Sequence, residues 1–276
     1  MLIDCFPFFN EKEILEARIN TLKDHVDAFF IVEANRTHKG DLKPFKCIEY
    51  LKELDLPADK IQVIHVELPS AEEVPDPWIR ERAQRDALAI PMREAPSGVY
   101  FFVSDCDEIP NPQKLKEAVQ LAKEMPSKYV SLSMRMFFGR ANLEAHSPAG
   151  VPFEWKCGMV VSSDQIKQTT LSQIREAGNY LYYGNRDAGW HLTWMGGSDK
   201  RNIKANSIAE HYLFDNDEIK EYMKTYEPEH NGHDPLNRQD HLLKQCDMNS
   251  LPPALFATDA LKMFFFGTTS AYQYVH

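Results

Sequence analysis

The sequence predicts an α/β protein whose mostly parallel central sheet is flanked by helices. Short apolar runs of strand length alternate, along the first half of the chain, with segments whose apolar residues recur at helical spacing. The continuous apolar run Ala28–Val32 is typical of a parallel strand that is buried on both faces. The chain has 276 residues without a repeat or a low-complexity linker, so we expect one domain over residues 1–276.

The first half, about residues 1–112, is expected to be the nucleotide-binding half. Its predicted strands are Leu2–Cys5, Ala28–Val32, Ile61–Val66 and Val99–Ser104. Three helices alternate with them: one that Asn10 and Glu13 open as a capping box, one over Ile48–Leu54 and one over Trp78–Ile90. Pro7 is expected to break the first strand. Strands that alternate with helices indicate βαβ units, and a ligand is expected at the carboxyl ends of the strands.

The second half, about residues 113–276, is expected to be less regular and to bind the acceptor. Strands are predicted at Tyr129–Met134, Trp155–Val161 and Trp190–Met195. Helices are predicted at Lys114–Lys123, Asp199–Ala205 and Glu218–Tyr226. Between these elements, Arg140–Phe153 is rich in Gly, Pro and polar residues, which favours an irregular segment.

Composition narrows the classes of function. The 31 Lys and Arg residues stand against 41 Asp and Glu residues, and the resulting net charge of −10 argues against nucleic-acid binding. No apolar run reaches the ~18–20 residues that span a bilayer, and the N-terminus lacks the basic and apolar regions of a signal peptide. The five cysteines form no C-x-x-C pair. We therefore expect a cytoplasmic protein with reduced thiols, in solution or peripheral at a membrane, without a transmembrane segment.

The sharpest local feature is V-S-D-C-D-E at Val103–Glu108. Asp105 and Asp107 follow a predicted buried strand and are two residues apart, so in extended backbone they point to the same side. Two converging carboxylates repel each other unless a cation lies between them. Oxygen ligands favour Mg²⁺ or Mn²⁺, which commonly bridge to substrate phosphates. The alternative is a solvated acidic turn.

Further candidates for binding a nucleotide donor lie elsewhere in the first half of the chain, and the opening loop is expected at the same sheet edge as Asp105. The opening D-C-F-P-F-F-N-E contributes Phe6, Pro7, Asn10 and Glu11. Glu33, at the end of the second strand, could accept hydrogen bonds from a ribose or a uracil edge. Arg85 and Lys43 could offset the charge of a diphosphate. The alternative for the opening segment is a helix cap over an aromatic cluster in the core. The alternative for Glu33 is a turn residue, and the alternative for Arg85 and Lys43 is a solvated surface charge.

A second block, A-G-W-H-L-T-W-M-G-G, lies at Ala188–Gly197. His191 is either a neutral imidazole ligand that completes a carboxylate metal site or a half-buried strand histidine. Trp190 and Trp194 could stack on the acceptor sugar, although two tryptophans in one strand are usually core residues. Asp199 either caps the following helix or serves as a general base.

Five blocks in one order resemble glycosyltransferase family 17 between about Leu2 and Phe214. The blocks are D-C-F-P-F-F-N-E, V-E-A-N-x-T-H-x-G-x-x-K-P, W-I-R-E-x-x-Q-R-D-A-L, D-C-D-E-I-P and G-W-H-L-T-W-M-G-G. That family includes the β-1,4-mannosyl-glycoprotein N-acetylglucosaminyltransferases. The resemblance implies a GT-A-like fold, a UDP-sugar donor and inversion at the anomeric carbon. Asp105 and Asp107 match the pair that binds metal and diphosphate, and His191 matches the histidine of the family's G-W-H block.

Two departures from the family pattern bear on the acceptor. Animal members have a membrane anchor and a stem, and we expect neither in this chain. The segment Ala141–Glu154 matches no family block, so we expect acceptor recognition near it.

These inferences predict an inverting, metal-dependent glycosyltransferase. It would move a sugar, GlcNAc by the resemblance, from a UDP-sugar to a hydroxyl of a glycan or glycolipid acceptor, with Mn²⁺ or Mg²⁺ as cofactor. Asp199 is the first candidate for the general base and Asp187 the second. The alternatives are a metal-dependent hydrolase of a sugar or phosphate ester and a non-catalytic sugar-binding module. Donor turnover separates the three classes.

Overall fold

The structure is a computed structural model that describes residues 1–228, 232–233 and 241–267. Thirteen strands lie in the described ranges: β1 Leu2–Phe8, β2 Ala28–Ala34, β3 Ile61–Val66, β4 Tyr100–Val103, β5 Glu108–Pro110, β6 Tyr129–Leu132, β7 Met134–Phe138, β8 Leu143–His146, β9 Glu154–Trp155, β10 Met159–Ser162, β11 Tyr180–Tyr183, β12 Gly189–Thr193 and β13 Leu242–Gln245. The α-helices described there are α1 Lys12–Leu22, α2 Cys47–Glu53, α3 Pro77–Ala87, α4 Ala89–Glu94, α5 Pro112–Glu124, α6 Ser163–Ile166, α7 Leu171–Glu176, α8 Ser198–Ala205, α9 Asp217–Thr225 and α10 Asp259–Phe266.

The central sheet has seven strands in the order β11-β6-β10-β4-β1-β2-β3. Neighbours from β4 to β3 are parallel, as are β11 and β6, whereas β10 runs antiparallel to both of its neighbours. Ile31 and Val32 of β2 are fully buried between β1 and β3. Two apolar clusters pack on the sheet, one that includes residues of α1 and α5 and one that includes residues of α3, α4 and α7. The predicted mostly parallel sheet flanked by helices is confirmed.

A second sheet, formed by β5 and strands of the C-terminal half, was not predicted. Its order is β13-β8-β7-β12-β5, and β9 pairs with β7. The expectation of an irregular Arg140–Phe153 segment is wrong at β8, which pairs with β7 and β13. The predicted strand Tyr129–Met134 contains β6 of the central sheet and the first residue of β7 in the second sheet. The predicted strand Trp155–Val161 likewise begins in β9 of the second sheet and ends in β10 of the central sheet. Periodicity along one strand does not reveal a change of sheet.

Two predictions for the first βα unit are wrong. Pro7 does not break β1, because it pairs with Val32 of β2. Pairing of β1 with β4 ends at Cys5, so Pro7 has one neighbouring strand, a position in which proline is tolerated. The capping box does not form either, since the residue that caps α1 is Glu11 and no side-chain cap bond is made.

The helix predicted over Trp78–Ile90 is two helices, α3 and α4, that meet at Leu88. Pro91 lies inside α4, four residues after the end of α3. Proline lacks an N–H and its ring clashes with the carbonyl four residues earlier, which accounts for the interruption.

None of the described helices is long and apolar enough to cross a membrane. All five cysteines are free, and Cys5, Cys47 and Cys106 are buried.

Candidate active site

The D-x-D turn begins at the carboxyl end of β4 and leads into β5. The backbone N–H of Ser104 still donates to Cys5 of β1, and the N–H of Glu108 donates to the carbonyl of Asp105 at 3.0 Å. The Glu108 carboxylate closes the turn, because it accepts from the backbone N–H of Asp105 at 3.1 Å and from the indole of Trp155 at 2.5 Å. Burial, together with the charges of Asp105 and Asp107, raises the pKa of Glu108 to about 8.

Beneath the turn lies a buried ion pair between Arg18 of α1 and Asp4 of β1. Two N–H groups of Arg18 donate to the two Asp4 carboxylate oxygens, each at 2.7 Å, and both side chains are fully buried. The guanidinium also donates to the carbonyls of Asp105, Cys106 and Glu108. Three carbonyls of the D-x-D turn are therefore anchored to the buried core of the first half of the chain.

Asp105 faces two arginines. Its carboxylate lies 3.2 Å from Arg85 of α3 and 3.6 Å from Arg175 of α7. Burial acts to raise the pKa of Asp105, but the charges of Arg175 and Arg85 outweigh it and hold the pKa well below its usual range. Asp105 is therefore ionised at neutral pH. Arg85, the residue expected to offset a diphosphate, thus lies directly against the D-x-D turn.

Asp107 faces a different cation. The ammonium of Lys204, from α8, donates to Asp107 Oδ2 at 2.9 Å and to the hydroxyl of Thr193 at 3.1 Å. The other carboxylate oxygen, Oδ1, lies 3.7 Å from Nε2 of His191. The Asp107 carbonyl accepts from the N–H of Leu192, which fixes the turn against β12.

His191 is buried and stacks on the indole of Trp155, with the ring centroids 4.3 Å apart. Burial is the main cause that lowers its pKa to about 4, so its imidazole is neutral at pH 7. Its Nδ1 is buried and has no hydrogen-bond partner among the described residues. Neutral imidazole is the form that binds metal ions.

The loop that precedes α1 approaches the same turn. Glu11 accepts from the backbone N–H groups of Phe9 and Asn10 at 3.0 and 3.1 Å. Burial raises the pKa of Glu11; the charge of Asp107 acts in the same direction and that of Lys204 acts against it. Glu11 and Asn10 are thus brought to the D-x-D turn, as predicted from the sheet edge that they share.

The residues around Asp107 fit a divalent cation in part. Asp107 Oδ1 and the neutral His191 are close enough to share one ion after small side-chain shifts. Within residues 1–228, 232–233 and 241–267, however, no group of three His, Cys, Asp or Glu side chains converges on one point. Mg²⁺ and Mn²⁺ are commonly held by one or two protein ligands and completed by substrate phosphates, and this donor set fits that pattern. Asp105, which points at two arginines, fits it less well than Asp107.

Four predicted donor ligands have other contacts in the structure. Phe6 is fully buried against the Arg18 guanidinium, and Pro7 lies within β1, so the predicted loop position of both is wrong. The Glu33 side chain has no exposed surface and accepts from the backbone N–H groups of Lys46 and Cys47. Its carboxylate is therefore not accessible to a ribose. Lys43 pairs with Glu33 at 3.2 Å.

The two tryptophans predicted to bind the acceptor differ in surroundings. Trp190 is buried and its indole donates to the carbonyl of Ser250, so the core alternative is correct for it. Trp194 is half-buried, packs against Phe214 and lies beneath the ammonium of Lys204, 5.6 Å from its ring centroid.

The two general bases predicted from the sequence, Asp187 and Asp199, do not contact the D-x-D turn. Asp187 precedes β12, is exposed and lies 3.5 Å from Lys114 of α5, at the opposite end of β12 from Thr193. Asp199 does not cap α8, whose cap is Gly197. An α-helix turns ~100° per residue, so Asp199 points about 140° away from Lys204.

Glu210 is a carboxylate near this cluster that the sequence did not place. It lies five residues after the end of α8, directly before the short 3-10 helix His211–Phe214, and is half-buried. Burial raises its pKa, and the charges that act on it include those of Glu81, Lys204 and Asp105. It forms no ion pair with any side chain in the described part of the chain. A half-buried, unpaired carboxylate near the candidate donor site is suited to accept a proton.

Comparison with known families decides the assignment. The model of glycosyltransferase family 17 matches residues 1–196. The chain belongs to glycosyltransferase family 17. The match includes Asp105, Asp107, His191 and Arg175, whereas Lys204 and Glu210 lie beyond it. No curated protein matches the chain.

Solved structures give more distant similarities. S. aureus TarS is 12% identical over 78% of this chain and 40% of the TarS chain, with a TM-score of 0.42. TarS 1–349 in complex with UDP-GlcNAc is 11% identical over 78% of this chain and 67% of its own, also with a TM-score of 0.42. Mannose-6-phosphate isomerase from Helicobacter pylori is 12% identical over 60% of this chain and 71% of its own, with a TM-score of 0.36. This family 17 chain thus spans 40% of the length of full TarS.

Three basic residues at the site were missed from sequence. Arg175 lies in a short helix beside Glu176, and Lys204 lies in a helix with three other charged residues; nothing in their spacing separates them from solvated lysines and arginines. Arg18 did carry a signal. It lies on the same helix face as Leu15, Ile19 and Leu22, and a charge at core spacing indicates a buried ion pair.

Proposed function

We propose that this member of glycosyltransferase family 17 transfers a sugar from a UDP-sugar to a hydroxyl of a glycan or glycolipid acceptor, with inversion at the anomeric carbon. GlcNAc is the proposed sugar. The observation that carries the proposal is the D-x-D turn itself. Its two carboxylates lie at the carboxyl end of β4 with three cations, Arg85, Arg175 and Lys204, directly against them.

The three cations suit a diphosphate. A chain with a net charge of −10 repels a nucleotide diphosphate at long range, so attraction must be local. Arg85 and Arg175 present planar guanidinium groups, which bind phosphate oxygens in pairs, and Lys204 presents a compact ammonium. As the bond from the sugar to the diphosphate breaks, negative charge grows on the leaving phosphate, and fixed cations stabilise it.

A divalent cation is the proposed cofactor, held by Asp107 and His191. When bound, Mn²⁺ or Mg²⁺ would neutralise charge on the leaving diphosphate as a Lewis acid. Burial of His191 keeps its imidazole unprotonated and therefore able to ligate. The Lys204 ammonium holds Asp107 in place from the side opposite Nε2 of His191.

We propose Glu210 as the general base, in preference to Asp187 and Asp199. An inverting transfer needs a group that takes the proton of the acceptor hydroxyl while the anomeric carbon is attacked from the face opposite the leaving diphosphate. A carboxylate whose pKa is raised is a stronger base than a carboxylate with the ordinary pKa. Tyr212, next but one along the chain and 57% exposed, offers a ring on which an acceptor sugar could stack.

Release of UDP from a panel of UDP-sugars tests the proposal. The purified chain is incubated with each donor, with Mn²⁺, with Mg²⁺ and with EDTA, and then with glycan acceptors. We expect UDP release from UDP-GlcNAc that depends on the cation and rises when an acceptor is added. Free sugar without any transfer would indicate a hydrolase, and binding without turnover would indicate a sugar-binding module. Either result contradicts the proposal.

A further inference from the structure

We infer that Arg18 is a positioning residue for the proposed transfer: from within the core, it sets the conformation of the D-x-D turn. This inference rests on the proposed function for its effect on turnover. The structural part of the inference, that Arg18 fixes the conformation of the turn, rests only on hydrogen bonds of the Arg18 side chain.

Every N–H group of the Arg18 guanidinium is engaged. Nε and Nη2 donate to the two oxygens of Asp4, and Nη2 also donates to the hydroxyl of Ser104 at 2.8 Å. Nη1 donates to three carbonyls of the turn, those of Asp105 at 2.8 Å, Cys106 at 3.1 Å and Glu108 at 3.0 Å. A single side chain thus binds the backbone of the turn on both sides of Asp107.

The pair of Arg18 and Asp4 is itself rigid. Asp4 lies in β1 between β2 and β4, paired with Phe29 and Phe102, so the backbone on which it stands is part of the central sheet. The Arg18 guanidinium packs over the Phe6 ring, 4.3 Å from its centroid. Both charged side chains are excluded from solvent. A fully buried, bidentate charge pair has one favourable geometry. The turn is hydrogen-bonded to the guanidinium that this geometry fixes.

The three carbonyls that Arg18 binds include that of Asp105 and flank Asp107 on both sides, and the carboxylates of these two aspartates face the candidate substrate site. With its carbonyls directed into the core, the turn presents Asp105 towards Arg85 and Arg175 and Asp107 towards Lys204. Displacement of a reacting group by about 1 Å can cost a factor of ~10² in rate. Loss of the Arg18 contacts should therefore lower turnover without removing any group that touches the substrate.

Arg18→Lys is the main test variant. Lysine keeps one positive charge beside Asp4 but has three N–H donors on a single atom, so it cannot span Asp4 and the turn. Leu22→Ala is the matched control, because Leu22 lies one turn further along α1, is fully buried and contacts the apolar core. Both variants lower thermal stability. Turnover, UDP affinity and amide hydrogen exchange of the peptide over residues 103–110 are then measured at a temperature at which both are folded.

We expect Arg18→Lys to lower turnover at least tenfold and to speed exchange in the 103–110 peptide, while Leu22→Ala changes neither. Asp4→Asn is the second variant, because it keeps the shape of Asp4 but removes the charge that fixes Arg18, and within the described part of the chain the Asp4 side chain bonds Arg18 and not the turn. Faster exchange in the same peptide of Asp4→Asn supports the inference even where Arg18→Lys does not fold. Wild-type exchange in the 103–110 peptide of the folded variants overturns it. A wild-type protein that releases no UDP from any donor refutes the proposed function instead, and the exchange experiment still decides the role of Arg18.

Discussion

The ammonium of Lys204 lies 2.9 Å from a carboxylate oxygen of Asp107, although the two residues are 97 positions apart in the chain. This contact joins α8 to the D-x-D turn. A second lysine of α8, Lys200, lies 3.3 Å from Glu13 of α1, so the helix is held at two points against the first half of the chain. The C-terminal part of the chain thereby contributes a charge to the candidate donor site.

Lys204→Met should weaken UDP binding by about 10- to 100-fold, the range that corresponds to loss of a charged hydrogen bond. The reason is that Lys204 would no longer hold Asp107 or offset the diphosphate. Titration calorimetry with UDP and Mn²⁺ measures the effect. Lys200→Met is the matched control on the same helix, and its dissociation constant should stay within about twofold of wild type. Equal affinities for the two variants would show that Lys204 has no part in donor binding.

Asp107→Asn should lower sugar transfer by ~10²-fold or more and leave the fold intact, because asparagine has the same shape but no charge to hold a cation or pair with Lys204. UDP release measures the loss, and circular dichroism checks the fold. Asp164→Asn, at an exposed aspartate that bonds Ser97, is the control and should keep wild-type activity. Full activity of Asp107→Asn in the presence of EDTA would be incompatible with the proposed metal site.

Glu210→Gln should lower kcat by ~10²-fold or more while UDP binding is retained, since glutamine cannot accept the proton. Asp199→Asn and Asp187→Asn, at the two bases predicted from sequence, should keep turnover within a few-fold of wild type. Steady-state kinetics on the three variants orders the candidates. If Asp199→Asn loses turnover and Glu210→Gln keeps it, the base is Asp199.

The pH profile gives an independent check on Glu210. A base must be deprotonated, so turnover falls as the pH is lowered through its pKa. Because burial raises the pKa of Glu210, this fall should lie at a higher pH than the ordinary glutamate value of about 4.3. Glu210→Gln should lose that limb of the profile. An unchanged limb in the variant would assign it to another group.

Glu144 of β8 should stabilise the second sheet at neutral pH. Arg135 donates twice to its carboxylate, at 3.0 and 2.9 Å, and Arg186 also contacts it. Burial acts to raise the pKa of Glu144, but the hydrogen bonds and charge of Arg135 and the charge of Arg186 outweigh it and lower the pKa. Glu144→Gln should therefore lower the free energy of unfolding by about 2 kcal/mol at pH 7.

The sign of the pH dependence follows from that lowered pKa. The contribution of Glu144 is fully present above the unfolded-state pKa of about 4.3 and is lost as the pH falls through the lower folded-state value. Urea unfolding at pH 7 and at pH 3 should thus show a difference between wild type and Glu144→Gln that shrinks in acid. Glu49→Gln, which loses only an exposed pair with Lys46, is the control. A difference that grows in acid would contradict the assignment.

The sequence by itself determined the parallel half of the fold and the position of the D-x-D turn in it. Ala28–Val32 has the continuous apolar pattern that is typical of a doubly buried strand, and the apolar run that ends at Val103 placed Asp105 and Asp107 at a carboxyl edge. Both inferences depend on short-range patterns: an apolar run of strand length, and a turn directly after it. The ordered blocks up to residue 196 also carried the family.

The tertiary structure alone decided which charges face the two aspartates. Arg175 and Lys204 come from helices that lie far from β4 along the chain. In the sequence, these two residues cannot be told from solvated surface charges. The same holds for the division of Tyr129–Met134 between two sheets. The physical reason is that an ion pair or a change of sheet depends on how distant elements pack, which is the sum of many weak contacts spread over the chain, whereas a periodic pattern records only which face of one element is buried.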